Sequence, residues 1–212
     1  MDHRDQHATN TRYYAAHRTM EIDRVRRRQV ARTAILRLLR MRPCADCGER
    51  FLPHQMDFDH RDPSTKAFRI SSGGGTLAST ARLAAEIAKC DIICANCHRI
   101  RTQRWWAEGR AGAGLSTDPA TERKRRRWRA HAAVLDALRD VPCQECGGRF
   151  PPCAMDFDHR DPAAKRSGVT RMIGRAGLDA ILKEVDGCDI VCANCHRDRT
   201  KRRRGGRSTE RE

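Results

Sequence analysis

Apolar residues come in short bursts between long charged stretches, and the bursts follow two different periods. Over roughly 21–40, Val25, Ala31, Ile35, Leu38 and Leu39 recur at helical spacing among arginines. That spacing predicts a basic amphipathic helix with one apolar stripe. A matching helix is expected at roughly 121–139, with Trp128, Val134, Leu135 and Leu138 on its stripe. Pro43 and Pro142 mark where each has ended. The stretch MDFDH alternates instead: Met56 and Phe58 point one way, Asp57 and Asp59 the other, as in a short half-buried strand. Further helical stretches are expected at about 77–90 and 175–187, and a last basic helix opens at each C-x-x-C-H-R. The elements add up to an α+β class of small modules, each preceded by a basic helix.

The pattern occurs twice. CADCGERFLPHQMDFDHRDPSTK (44–66) aligns with CQECGGRFPPCAMDFDHRDPAAK (143–165) at an offset of 99 residues without a gap. EIAKCDIICANCHRIRT (86–102) aligns with EVDGCDIVCANCHRDRT (184–200) at an offset of 98. Identity of MDFDHRDP and CANCHR at one spacing makes chance negligible, so the chain is a tandem repeat. One residue is lost between the blocks, near the Gly/Ser-rich SSGGGTLAST, which has loop composition. The expected organisation is a disordered basic segment (1–19), a first module (20–106), a flexible Gly/Ala/Ser linker (107–121), a second module (122–204) and a disordered tail (205–212).

Charge narrows the partners. Lys and Arg number 43 against 27 acids, a formal net charge of +16 on 212 residues. Such a surplus calls for a polyanion, and nucleic acid is the usual one. No apolar run approaches the ~20 residues of a spanning helix, so no membrane partner is expected. The first 20 residues carry no apolar core of a secretory signal, which predicts a cytoplasmic protein. Aromatic residues make up only 5%, so two small cores need another source of stability.

Cysteine supplies one. Eight of the eleven fall in four C-x-x-C pairs: Cys44/Cys47, Cys94/Cys97, Cys143/Cys146 and Cys192/Cys195. In a reducing compartment these read as zinc ligands before disulfides. One tight turn gives zinc two of its four thiolates, so Cys44, Cys47, Cys94 and Cys97 are expected to hold one Zn²⁺. Cys143, Cys146, Cys192 and Cys195 are expected to hold the other. Cys90 and Cys188 read as small buried hydrophobes; Cys153, aligned with His54, reads as a loop residue.

A four-cysteine site is closed, so any chemistry lies elsewhere. Asp59-His60 ends the first strand and His98 follows the second C-x-x-C; Asp158-His159 and His196 are their copies. One carboxylate and one imidazole suit Mg²⁺, Mn²⁺ or a similar ion that keeps several waters. The strand is expected to present Asp59 and His60 toward the same place, with the histidine available as a general base.

On DFDH followed by CANCHR, over 43–105 and 142–203, the sequence resembles the His-Asn-His (HNH) nuclease family and its ββα-metal fold. The resemblance implies that His60 and His159 are general bases. It implies that Asp59 with His98, and Asp158 with His196, hold the catalytic metal. It further implies hydrolysis of DNA phosphodiesters to 3′-hydroxyl and 5′-phosphate ends. The family's middle Asn commonly lies about nine residues before the final His, where this chain has Lys89 and Gly187. Asn96 and Asn194, inside the second C-x-x-C, are either that Asn in this branch or plain turn residues.

Candidate nucleic-acid contacts are Arg61 and Arg160 beside the bases, and Arg99, Arg101, Arg104, Arg197, Arg199 and Lys201 on the last helices. Each has the alternative of a solvated charge. Two sites on one chain predict a monomer that engages both strands of duplex DNA. The rival classes are a non-catalytic zinc protein that binds nucleic acid, and a structural zinc protein; neither needs the repeated Asp-His and His. Sequence preference and biological role are not legible.

Overall fold

The computed structural model describes residues 3–70, 78–108 and 118–209. Most of the Gly/Ser loop, the centre of the linker and the last three residues lie outside them. The element order is α1 (His3–Leu39), β1 (Met56–His60), α2 (Thr80–Ala88), β2 (Cys90–Cys94), α3 (Ala95–Ala107), α4 (Pro119–Arg139), β3 (Met155–His159), α5 (Val169–Met172), α6 (Leu178–Asp186), β4 (Cys188–Cys192) and α7 (Ala193–Thr209). The protein is thus mixed helix and small sheet: β1 pairs β2, and β3 pairs β4. Helix α1 is continuous from His3, through the stretch expected to be disordered, and α7 runs to Thr209.

The chain forms two compact units whose boundary does not follow the repeat. One comprises Met1–Arg42 and His60–Asp91, the other Pro43–Asp59 and Ile92–Glu212. The second unit therefore contains both C-x-x-C pairs of the first repeat and the whole second repeat.

In the first unit, α1 does not pack by its predicted stripe. Val25, Ile35 and Leu38 are exposed, Leu38 at 65%. Among the described side chains of this helix the buried one is Arg32, whose guanidinium donates to the Ala78 carbonyl, with Arg28 donating to the same oxygen at 3.4 Å. A long basic side chain can cover apolar surface with its stem and satisfy its head on a carbonyl, which binary patterning does not register. Helix α2 is capped by Ser79, whose side chain accepts from the Arg82 amide, and buries Leu83 and Glu86 on one face.

In the second unit, β3 and β4 run antiparallel with Met155 opposite Cys192, Phe157 opposite Ile190, Asp158 opposite Asp189 and His159 opposite Cys188. Leu135, Phe157, Val169, Ile173, Ile181 and Cys188 form the largest cluster. Of the stripe predicted on α4, only Leu135 is fully buried; Trp128, Val134 and Leu138 are exposed, and His131 is the other buried residue. Two smaller clusters surround the cysteines: Cys44, Met56, Ile93 and Cys94, and Cys143, Met155, Val191 and Cys192.

Matching parts of the two repeats meet inside this unit. Asn194 N–H donates to Asn96 Oδ1 at 3.1 Å, and Asn96 N–H to Asn194 Oδ1 at 3.4 Å. Arg99 Nη1 reaches Asp156 at 2.6 Å, and Arg197 Nη2 reaches Asp57 at 2.6 Å. Each pair exchanges partners at the repeat offset, the signature of an isologous, two-fold type of contact.

Candidate active site

The eight paired cysteines gather into two groups of four, with the sulfurs of each group within 4.8 Å of one another. Thiolates at about 2.3 Å from a tetrahedral zinc lie about 3.8 Å apart, so both groups fit a zinc ion. The turn that delivers each first pair needs a left-handed residue, which Gly48 (φ 74°) and Gly147 (φ 71°) provide. Their amides donate to the carbonyls of Cys44 and Cys143. The second pair sits at a helix start: the Cys94 sulfur accepts from the Cys97 amide at 3.5 Å. The Cys44 and Cys143 sulfurs accept from the amides of Cys94 and Cys192 at 3.3 and 3.2 Å. For the Cys143 thiol, burial raises the pKa, but the backbone amides of Cys146, Cys192 and Glu145 outweigh it and bring it to about 7. Burial and the neighbouring sulfurs push Cys97 and Cys195 strongly up. Zinc binds thiolates, so an ion held here would displace the protons of all four cysteines.

The second repeat's Asp158, His159 and His196 line one open cavity of about 330 Å³, together with Lys165, Arg203 and Arg204. Around that shared cavity, strand alternation gives the two neighbouring side chains different partners. Asp158 (4% exposed) meets α7. His196 Nε2 stands 3.5 Å from its Oδ1, and Arg203 grips both of its oxygens at 2.8 and 3.1 Å. His159 turns to α6, with its Nε2 2.7 Å from Glu184 Oε1.

The partners fix the tautomers. The His196 Nδ1 lies 2.7 Å from Asp156 Oδ2. Burial raises the Asp156 pKa, but the hydrogen bonds and charges of His196 and Arg99 bring it down to about 2. An ionised carboxylate only accepts, so Nδ1 donates to Asp156; in the neutral ring that a metal ligand requires, Nε2 then carries the lone pair that faces Asp158. Two acceptors facing each other at that separation suit one shared ion, because ligands at about 2.1 Å from a cation lie about 3–3.5 Å apart. A carboxylate behind a ligating imidazole is the usual support for such a ligand. Glu184 is held below the usual range, chiefly by the hydrogen bond from His159 and despite burial. His159 Nε2 is therefore the donor, which leaves Nδ1 as the basic nitrogen.

The first repeat carries the same parts, divided between the units. In the second unit His98 Nδ1 lies 2.8 Å from Asp57 Oδ2, and its Nε2 lies 3.4 Å from Asp59 Oδ1. Burial raises the Asp57 pKa, and the bonds from His98 and Arg197 outweigh it, to about 2. In the first unit the buried His60 places Nε2 2.8 Å from Glu86 Oε1. Glu86, 2% exposed, also accepts from Lys89 Nζ at 2.8 Å and from the Ala67 amide at 2.8 Å. Lys89 leads the causes that hold its pKa at about 2, against burial and with help from His60.

Most arginines singled out from the sequence are engaged internally. Arg61 and Arg160 bind carbonyls at the ends of α2 and α6: Arg61 those of Ala88 and Cys90, Arg160 those of Asp186 and Cys188. Cations suit those helix ends. Arg101 pairs with Asp46 and Asp59, and Arg199 with Glu145, Asp158 and Asp189. Arg199 thereby separates Asp158 from the like charge opposite it on β4. Arg99 and Arg197 lie at the contact between repeats, as do Asn96 and Asn194, and neither Asn lines the cavity of Asp158. Arg104 and Lys201 are exposed.

Four positions went unread in the sequence: Glu86, Glu184, Asp57 and Asp156. Each repeats at the module offset, and the two aspartates share the alternation of Asp59 and Asp158. Among the described residues no helix is long and apolar enough to cross a membrane. No family model, no curated protein and no solved structure matches this chain.

Proposed function

We propose that the protein is a metal-dependent DNA endonuclease with two HNH-like, zinc-stapled ββα-metal modules in tandem. The observation that carries the reading is the cavity in which Asp158, His159 and His196 meet Lys165, Arg203 and Arg204. Asp158 and His196 would hold a divalent ion, as would Asp59 and His98. Such an ion supplies stabilisation of charge on the phosphate and its leaving oxygen. Glu184 holds His159 so that Nδ1 accepts a proton from the attacking water, a base and orienter in the sense of other nucleophile-activating pairs. Lys165 and Arg204 line the wall where a phosphate would sit. Arg203 grips Asp158 and would exchange that carboxylate for phosphate.

The rival is a zinc protein that binds nucleic acid without cutting it. The grip of Arg203 on Asp158 is the feature in its favour, since the carboxylate is already neutralised. Cleavage of supercoiled plasmid with Mg²⁺ or Mn²⁺ separates the two. We expect nicked and linear product, lost in the His60→Ala/His159→Ala double variant. With one base removed at a time, nicking should persist while linear product disappears. Salt-sensitive binding with no cleavage under any divalent ion sinks the nuclease reading.

A further inference from the structure

Asp57 and Asp156 each support an imidazole of their own repeat and, at the same time, bind an arginine of the other. Asp57 Oδ2 accepts from His98 Nδ1 at 2.8 Å and from Arg197 Nη2 at 2.6 Å. Asp156 accepts from His196 Nδ1 at 2.7 Å on Oδ2 and from Arg99 Nη1 at 2.6 Å on Oδ1. We propose that Arg99 and Arg197 are positioning residues exchanged between the repeats. Each fixes, through an aspartate, the metal-holding imidazole of the opposite repeat. The inference rests on the reading of Asp59/His98 and Asp158/His196 as metal-holding pairs.

Three features carry it. The exchange is reciprocal at the repeat offset, which an incidental surface ion pair would have no reason to be. The aspartates are largely buried, 21% and 17% exposed at the side chain, so the charge pair is less screened than one on the surface. The seam that delivers the arginines is held in register by the Asn96–Asn194 exchange, whose atoms are buried. A carboxylate bound by one partner only can rotate about its Cβ–Cγ bond; Arg99 on the second oxygen of Asp156 fixes the plane offered to His196, and Arg197, sharing Oδ2 of Asp57 with His98, fixes that oxygen in place. Arg99 and Arg197 also line, with His98, one open cavity of about 460 Å³, so the seam and the first repeat's imidazole share one solvent space. Neither site is complete in a single repeat.

The test uses the zinc-loaded full chain with ¹⁵N-labelled histidine, and reads Mn²⁺ affinity at each site. Arg197→Gln should move the Nδ1 resonance of His98 more than that of His196, and weaken the Asp59/His98 site about 10-fold, the low end for loss of a supporting residue. Arg99→Gln should do the mirror image at His196 and Asp158. Arg197→Lys and Arg99→Lys, which keep one donor, should recover most of the affinity. With His60→Ala leaving only the second base, Arg99→Gln should slow cutting more than Arg197→Gln does. If each Gln variant moves both imidazoles alike, or moves the one in its own repeat, the arginines are mere mortar and the inference falls. A protein that shows the crossed pattern yet never cuts DNA sinks the nuclease reading alone; one that cuts without the pattern sinks this inference alone.

Discussion

Asp156 lies between His196 and Arg99, and its carboxyl titrates at about 2 where the ordinary value is 3.8. Asp57 is held in the same way. A pKa lowered by folding means that the folded state prefers the ionised form. The resulting stability is present above the unfolded value and is lost as pH falls from 3.8 toward 2. The shift is worth about 2 kcal/mol for each aspartate. Urea unfolding as a function of pH should therefore show a slope over that window that Asp156→Asn flattens. Zinc release at acid pH acts in the same direction in both proteins, so the difference between them isolates the aspartate. Glu184 makes a separate expectation. Glu184→Gln keeps the shape but removes the charge that orients His159; under the proposed nuclease reading, kcat for cleavage should drop about 10²-fold, within the range for general base catalysis. DNA affinity should hardly change, because the Glu184 side chain is 8% exposed and taken up by His159.

The strands and knuckle turns were legible in the sequence because their rules are local. C-x-x-C places two ligands in one turn, and MDFDH states its own period. The helix faces were less legible. Arg32 and His131 occupy buried positions that a hydrophobic pattern assigns to apolar residues, and only tertiary hydrogen bonding makes Arg32 acceptable there. Glu86 and Glu184 look like ordinary helix acids; their partners stand 26 and 25 residues away, and no local rule spans that distance. Asn96 and Asn194 belong to a contact between repeats that one module cannot foretell. Within the knuckle, Gly147 has open space around the position of a Cβ, but its φ is +71°. Gly147→Ala should thus cost about 1–2 kcal/mol from backbone strain alone and weaken zinc retention, measurable by chelator competition. Gly187, at an ordinary φ, would bring a Cβ to 3.5 Å from the Glu184 carbonyl, so Gly187→Ala should be tolerated.

At the scale of the molecule, the second unit joins the first repeat's knuckle to the entire second repeat. Its seam is built of buried backbone amides whose acceptors come from the other repeat. Asn194→Ala removes the acceptor of the Asn96 amide, and an unsatisfied buried N–H costs about 1–3 kcal/mol. Thermal unfolding of the zinc-loaded protein should shift down accordingly, and Asn96→Ala should match it by the reciprocity of the exchange. That arrangement also imposes an order in time. A ribosome releases Asn96 long before Asn194 exists, so the early cysteines can take up zinc while the surface they belong to is still unsynthesised. Until the last helix emerges, the nascent chain carries an aspartate awaiting its arginine and an amide awaiting its acceptor. The two exchanges are thus completed together, once α7 has been made.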